Sequence, residues 1–406
     1  MVSSLVRVLG VRHLALAEDA VQDALVRALE TWKLARAPEN PAAWLMRTAH
    51  NRAIDLLRRQ VHEGGLSPEL LRALEAASAS PEEEGHEHPV ADDELRLMFS
   101  CCDPALARPA QVTMILKYLC GFSVGEIAQA FLSGEAAVEK QLFRARRALC
   151  DRGALVEVRD PAQVRARLPA VQNAIYLLFN EGYHGAHPRQ VVREELCYEA
   201  MRLAVLLSQL PEAAVPETQA LLALFCFLAA RLSARLDDDG SLLLLAEQDR
   251  RRWDRELIEE GLRHLDLSAE GDVLTAWHLE AAIAARHAAA VSFAETDWTS
   301  IRALYDVLMR LRPTPVVALN RAIAVGMAEG PEAGLRAISE IDDRERLRSY
   351  PFLPAAMAEL EARAGRPERA AELLRSALRL ARNPAEEQVL ARKLDACNAA
   401  ASHPPS

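Results

Sequence analysis

Aromatic residues are scarce in this chain, at 5% of 406 positions, and strand-forming alternation is scarcer still. That absence argues against sheet architectures, while abundant alanine and leucine favour helix throughout. No unbroken apolar run reaches the roughly 18 residues that a membrane span requires, and no basic-then-apolar leader opens the chain. The expectation is therefore a cytoplasmic protein without a membrane partner. Cysteines number only seven, an odd count in no disulfide-like framework. They fit a reducing compartment, where a thiol behaves first as a small buried hydrophobe. A chain of this length holds two or three domains with cores of their own.

Positive charge is also in deficit, with a net charge of −10, but its distribution matters more than its sum. Residues 1–61 hold 9 Lys+Arg against 6 Asp+Glu, and residues 95–152 hold 8 against 5. Between them, residues 62–94 hold Arg72 alone against 10 acids. Two mildly basic segments thus flank an acidic connector. The connector carries Ser80-Pro81-Glu82-Glu83-Glu84-Gly85-His86-Glu87-His88-Pro89, which is built to stay out of a core, with one short helix expected near Pro68 to Ala77. His86 and His88 match no standard zinc spacing, and no metal or other cofactor is expected.

The first basic segment contains two helices of different character. From Glu18 through Val21, Leu25, Leu29 and Trp32, apolar residues recur at helical spacing with carboxylates outside. A second helix starts at Asn40-Pro41 and runs from Trp44 to Arg59. Leu45, Ala49, Ala53 and Leu56 are its expected buried stripe, and Thr48, Asn51, Asp55 and Arg59 share another face. Amide and carboxylate groups there suit base edges, and Arg58 and Arg59 suit phosphates. A solvated face with a basic end accounts for the same residues.

The second basic segment has the order of a helix-turn-helix. Ala110 to Cys120 ends at Gly121; Ser123-Val124-Gly125-Glu126 is a capping box that opens the next helix; a turn at Ser133-Gly134 leads to a last helix, Glu135 to Cys150. Val138, Leu142, Ala145 and Leu149 point inward, which leaves Lys140, Arg144 and Arg147 outward, with Arg146 beside them.

Asp19-Ala20-Val21-Gln22-Asp23, Trp32, and the run from Trp44 to Arg59 together resemble region 2 of a bacterial RNA polymerase sigma factor of the extracytoplasmic-function type. The segment 95–152 is similar to region 4 of the same family. The resemblance implies that Glu18, Asp19, Gln22 and Asp23 hold the polymerase core enzyme, that Trp44, Asn51, Arg52, Asp55, Arg58 and Arg59 face the −10 promoter element, and that Lys140, Arg144, Arg146 and Arg147 sit on the −35 element. It also implies helical residues ahead of Met1, so a shortened first helix is expected. Cys101-Cys102-Asp103-Pro104 resembles the Cys-Cys-His-Pro stretch of a subgroup with long C-terminal extensions. With Asp103 in the histidine position, packed thiols are the expected role.

Beyond Asp151, residues 160–265 read as helical, with polar clusters at Asn180-Glu181-Gly182-Tyr183, Glu195 to Ala200, Asp237-Asp238-Asp239-Gly240 and Gln248 to Arg255. These too resemble that subgroup's extension. Helix caps and inter-helix ion pairs account for them, as does a sensing or polymerase-contacting surface. The triple aspartate reads as a turn; a magnesium site for an enzyme would need a second acidic motif. Val316 to Ala328 with Pro331 to Ile341, and Leu353 to Ala364 with Pro367 to Ala381, form helical hairpins whose turn glycines, Gly330 and Gly365, lie 365 − 330 = 35 residues apart. That is close to the tetratricopeptide period.

The expected protein is all-α: residues 1–61 as region 2, 62–94 as acidic linker, 95–152 as region 4, 153–290 as helical extension and 291–397 as tetratricopeptide-like hairpins. Its expected function is non-enzymatic promoter recognition, with core RNA polymerase and promoter DNA as partners and the extension as the regulatory part, open to a regulatory protein. The alternative is a helical-repeat adaptor with an inactive sigma-like half.

Overall fold

The computed structural model describes residues 1–33, 37–62, 71–72, 74–75, 93–103, 106–131, 133–151, 161–184 and 192–402. Among them the chain is helical, and the only sheet-like pairing is an isolated bridge between Leu236 and Leu242. It divides into two compact units, Met1–Leu178 with Gln209–Ala213, and Phe179–Ser208 with Ala214–Ser406.

The first unit contains α1 (Val2–Leu9), α2 (Leu14–Trp32), α3 (Pro41–His62), α4 (Asp93–Cys101), α5 (Arg108–Tyr118), α6 (Val124–Ala130), α7 (Glu135–Asp151) and the start of α8 (Pro161–His184). Of the expected linker helix, Leu71, Arg72, Leu74 and Glu75 are described and helical; its other residues lie outside the described ones, as do His86 and His88. Instead of two modules on a tether, the two basic segments belong to one unit. Leu5, Val6 and Leu9 of α1 are buried, α1 packs against α4, and Arg7 pairs with Asp93 at 3.4 Å. The unit also runs on past the expected boundary at residue 153, as far as Leu178, and so takes in the start of the extension. Arg167 of α8, 4% exposed, approaches the Asp103 carboxylate at 3.8 Å and donates to Gln163 Oε1 at 3.0 Å.

Cys101 and Cys102 are buried beside this contact, and burial pushes the Cys101 thiol up to about 12. A thiol so far from ionising is a poor nucleophile and metal ligand, which agrees with the packing role.

In the second unit α9 (Glu194–Gln209) buries Cys197, Ala200, Leu203, Ala204 and Leu207, and α10 (Pro216–Ala229), α11 (Arg255–Ser268) and α12 (Ala276–Ala289) pack on one another. Pro216–Ala234 is long and apolar enough to cross a membrane by length and hydropathy, although no single apolar run revealed it. Its 72% burial inside the protein marks a core helix, apolar all round because α11 and α12 cover it. Each leucine or phenylalanine it buries is worth about 1.5–3 kcal/mol.

The hairpins follow as α13 (Trp298–Leu311), α14 (Pro315–Glu329), α15 (Pro331–Ser339), α16 (Phe352–Arg363), α17 (Pro367–Leu378) and α18 (Pro384–Ser402). Gly330 has φ 101° and Gly365 φ 76°, so the turn glycines are required by conformation. Small residues let the helices nest: a Cβ on Gly334 would meet the Gly326 Cα at 2.7 Å.

Candidate nucleic-acid interface

Helix α3 begins where the sequence indicates. Asn40 Oδ1 accepts the Ala43 N–H at 3.0 Å, and Pro41 occupies the first turn. Its inward face is Ala49, Ala53, Ile54 and Leu57; the expected Leu45 and Leu56 are only half-buried. The partner face on α2 is Ala17, Ala20, Val21, Ala24 and Ala28. Facing alanines bring the two backbones close, and the larger residues are then displaced outward. Hence Leu25 and Leu29, expected in the core, are exposed together with Val26. Trp32 and Trp44 close the far end of the pair, with ring centroids 5.5 Å apart.

The opposite face of α3 is open to solvent at Asn51, Asp55, Arg58 and Arg59, and Trp44 is half-exposed. Two of the expected DNA-facing cations are engaged within the chain. Arg52 donates to Asp23 at 2.5 Å, joining a residue expected on DNA to one expected on polymerase. Arg58 donates to Glu75 of the linker at 2.8 Å, and His50 Nε2 lies 3.0 Å from the Leu74 carbonyl. The described part of the acidic connector therefore lies on the helix that carries the amide and arginine face. On α2, Asp19, Gln22 and Asp23 are exposed, while Glu18 is half-buried and paired with Lys117 of α5 at 3.3 Å.

The second face is built by the helix-turn-helix. The capping box forms as read: Glu126 N–H donates to Ser123 Oγ at 3.2 Å and Ser123 N–H to the Glu126 carboxylate at 2.8 Å. Val138, Leu142 and Ala145 hold α7 against α5 and α6; the side chain of Leu149 lies outside the described residues. Lys140, Arg144 and Arg147 are exposed on one side, and Arg147 pairs with Asp151 at 3.6 Å. Arg146 turns the other way, half-buried and hydrogen-bonded to Tyr118. Burial and Glu18 raise that phenol above its ordinary value, with Arg146 opposing them. Phe143, unremarked in the sequence, is exposed among the three cations.

Three exposed cations on the last helix of a capped helix-turn-helix define a DNA-binding protein of that class, with a second exposed polar face on α3. Residues 1–63 match the family model for sigma-70 region 2, and residues 104–149 that for sigma-70 region 4. Residues 167–269 match a family of unknown function (DUF6596). Over 385 residues the chain is 40% identical to an uncharacterized protein of Rhizobium meliloti (strain 1021), covering 95% of this chain and 90% of that protein. The chain belongs to the sigma factors of bacterial RNA polymerase, of the extracytoplasmic-function type with a long C-terminal helical extension. Its partners as a sigma factor are core RNA polymerase and promoter DNA, and the matched sigma regions are those of an initiation factor, without a catalytic domain.

The polar clusters of the extension have mostly structural partners. Asp237 Oδ1 accepts the Asp239 and Ser241 N–H groups at 3.1 and 2.7 Å, which is the turn the sequence indicates. A Cβ on Gly182 would lie 2.8 Å from the Arg193 carbonyl and 2.9 Å from Cys197, so the backbone of the Asn180-to-Tyr183 stretch closely approaches the start of α9. Arg193 seals that junction by donating to Glu181 at 2.9 Å.

Proposed function

We propose that this sigma factor reads the −10 element with Asn51, Asp55, Arg58 and Arg59 of α3, flanked by Trp44, and the −35 element with Lys140, Arg144 and Arg147 of α7. The observation that carries the reading is the exposure of both polar faces on helices whose opposite sides are buried. Arg52 orients Asp23 rather than a base, and Arg146 steadies α7 through Tyr118. Asp19, Gln22 and Asp23 hold the polymerase core together with the exposed Leu25, Val26 and Leu29, since an apolar patch rimmed by acids is the form of a protein-binding surface. Glu18 becomes available to polymerase once its pair with Lys117 opens.

The extension is the regulatory part of the molecule. Its hairpins supply stacked helices of the kind that present a surface to another protein, and its first helix is anchored beside region 4 through Arg167 and Asp103.

Run-off transcription with purified core polymerase on promoters selected from a random library tests the whole reading. Full-length chain gives initiation from a defined −10/−35 pair, and Arg144→Ala weakens −35-containing DNA while leaving core binding intact. Equal loss of both sinks the assignment of α7. A chain ending at His184, whose core binding serves as the folding control, reports whether the rest of the extension is required or restraining; transcription identical to full length removes its regulatory role.

A further inference from the structure

Several charged side chains of the extension end on a partner of opposite charge or cap a helix. Asp249 and Asp254 accept backbone N–H groups at their own helix starts, Arg202 pairs with Glu199 at 2.7 Å, and Arg392 reaches Asp237. Arg231, Arg235 and Arg250 do not follow this pattern. No described carboxylate lies within ion-pair distance of any of them, although all three are at least half-buried.

Arg250 is used structurally. Its guanidinium donates to the carbonyls of His287 at 2.6 Å and Ala290 at 2.7 Å and to Thr296 Oγ1 at 3.1 Å, closing the end of α12. The exposed Glu295 adds a favourable charge at a distance, but its carboxylate is engaged by Ser292 Oγ at 2.7 Å.

Arg235 and Arg231 have no such employment. Arg235, 5% exposed, donates to the Tyr183 carbonyl and lies with its guanidinium carbon 3.8 Å from the centroid of the Tyr183 ring. Arg231 stands four positions earlier, across the short turn Leu232–Ala234. It gives Nε to Gln248 Oε1 at 3.3 Å and lies 5.3 Å from the centroid of Trp253. The same indole is 5.0 Å from Arg250. Trp253 is buried, and its Nε1 has no hydrogen-bond partner.

The charge balance of this cluster is incomplete. Removing a guanidinium from water costs several kcal/mol unless an anion or a full set of acceptors replaces the water. A ring face returns about 1–2 kcal/mol of that, and one carbonyl satisfies one of five donors. Donors predominate among the groups left over, namely the free guanidinium N–H groups of Arg231 and Arg235 and an unpartnered indole N–H, with the buried Nδ1 of the nearby His287 also unpartnered. What complements them is a ligand with acceptors only and more than one negative charge, which describes a phosphoryl group better than a carboxylate.

We propose that Arg231 and Arg235, beside Trp253, form a binding site for a phosphoryl group, either inorganic phosphate or a small phosphate monoester. The site lies within the extension's own core and is independent of the promoter-binding faces.

The test is calorimetric titration of the full-length chain with inorganic phosphate and with glycerol phosphate at constant ionic strength, chloride and acetate serving as controls. Saturable binding is expected for the phosphates and not for the controls. Arg231→Gln, at a half-buried position, raises Kd by at least about tenfold, equivalent to about 1.4 kcal/mol, while Arg144→Ala leaves it unchanged. Arg235→Gln abolishes binding; circular dichroism reports whether that variant is folded, and if it is not, Arg231→Gln alone decides. Tighter binding of the ester assigns the ligand as a phosphorylated metabolite, and equal binding assigns it as phosphate itself. No saturable heat, binding untouched by Arg231→Gln, or acetate binding as well as phosphate overturns the proposal.

Discussion

The contact between Arg167 and Asp103 makes an asymmetric prediction. Arg167 is 4% exposed and Asp103 16% exposed, so the two charges are unequally removed from water. Substituting Asp103→Asn leaves a buried guanidinium with only Gln163 as a neutral partner. Substituting Arg167→Met removes the more deeply buried charge, fills the space of its stem, and leaves a carboxylate that water reaches. Breaking a buried pair by removing one partner costs about 3–5 kcal/mol when the pair is close. At 3.8 Å the attraction given up here is weaker, so the expectation is about 2–3 kcal/mol for Asp103→Asn and about 1 kcal/mol for Arg167→Met.

The assay follows from the neighbours. Cys101 and Cys102 are buried at this contact, and a thiol reagent reaches them only when the packing opens. In the regime where opening is fast and modification slow, the modification rate tracks the open population. Labelling of these two cysteines, resolved by mass spectrometry from the half-buried Cys120 and Cys397, should accelerate by about 30- to 150-fold in Asp103→Asn and about fivefold in Arg167→Met, at 1.4 kcal/mol per tenfold. An unchanged rate in Asp103→Asn, or a larger acceleration in Arg167→Met, refutes the argument.

Glu75→Gln should release Arg58 from the linker and tighten promoter DNA about twofold at low salt, an exposed pair being worth under about 1 kcal/mol; the gain should vanish in a gel-shift titration at high salt. Arg144→Ala should reduce the log–log salt slope of −35 DNA binding by about 0.9, the loss of one phosphate contact, and an unaltered slope places Arg144 off the DNA. Gly182→Ala should cost more than about 1–3 kcal/mol in urea unfolding, because its Cβ meets backbone atoms rather than a side chain that can turn away. His287 has its pKa lowered to about 4 by burial and by the nearby Arg231 and Arg250. The unfolded state takes up that proton first as pH falls, so stability is complete above about pH 6.5 and about 2–3 kcal/mol is lost on descending toward pH 4. A His287→Gln variant should lack that part of the acid sensitivity.

Much of this protein was legible because its helices announce themselves locally. Asn40-Pro41, Ser123 with Glu126, and the turn glycines Gly330 and Gly365 each act within a few residues, and each stands where the sequence put it. The expected face of α7 also held, because a polar side opposite an apolar one is a property of one helix alone. What failed depended on a partner. Leu25 and Leu29 keep helical spacing with Trp32, yet the alanines of α3 take the facing positions and turn them outward. Arg52, Arg58 and Arg146 looked free, and each is held by a residue far away in sequence or in the next element. The single unit formed by residues on both sides of the acidic linker was hidden for the same reason.

The Asp103–Arg167 contact also bears on how such proteins can be recombined. The family matches break at residues 149 and 167, inviting a seam between them for chimeras that exchange extensions. Arg167 is the first residue on the far side of that seam, and Asp103 lies just ahead of the region 4 match. A graft made there would give region 4 a stranger's first helix and leave the aspartate facing whatever that helix brings. Carrying α8 along with its own region 4 keeps donor and acceptor from the same parent.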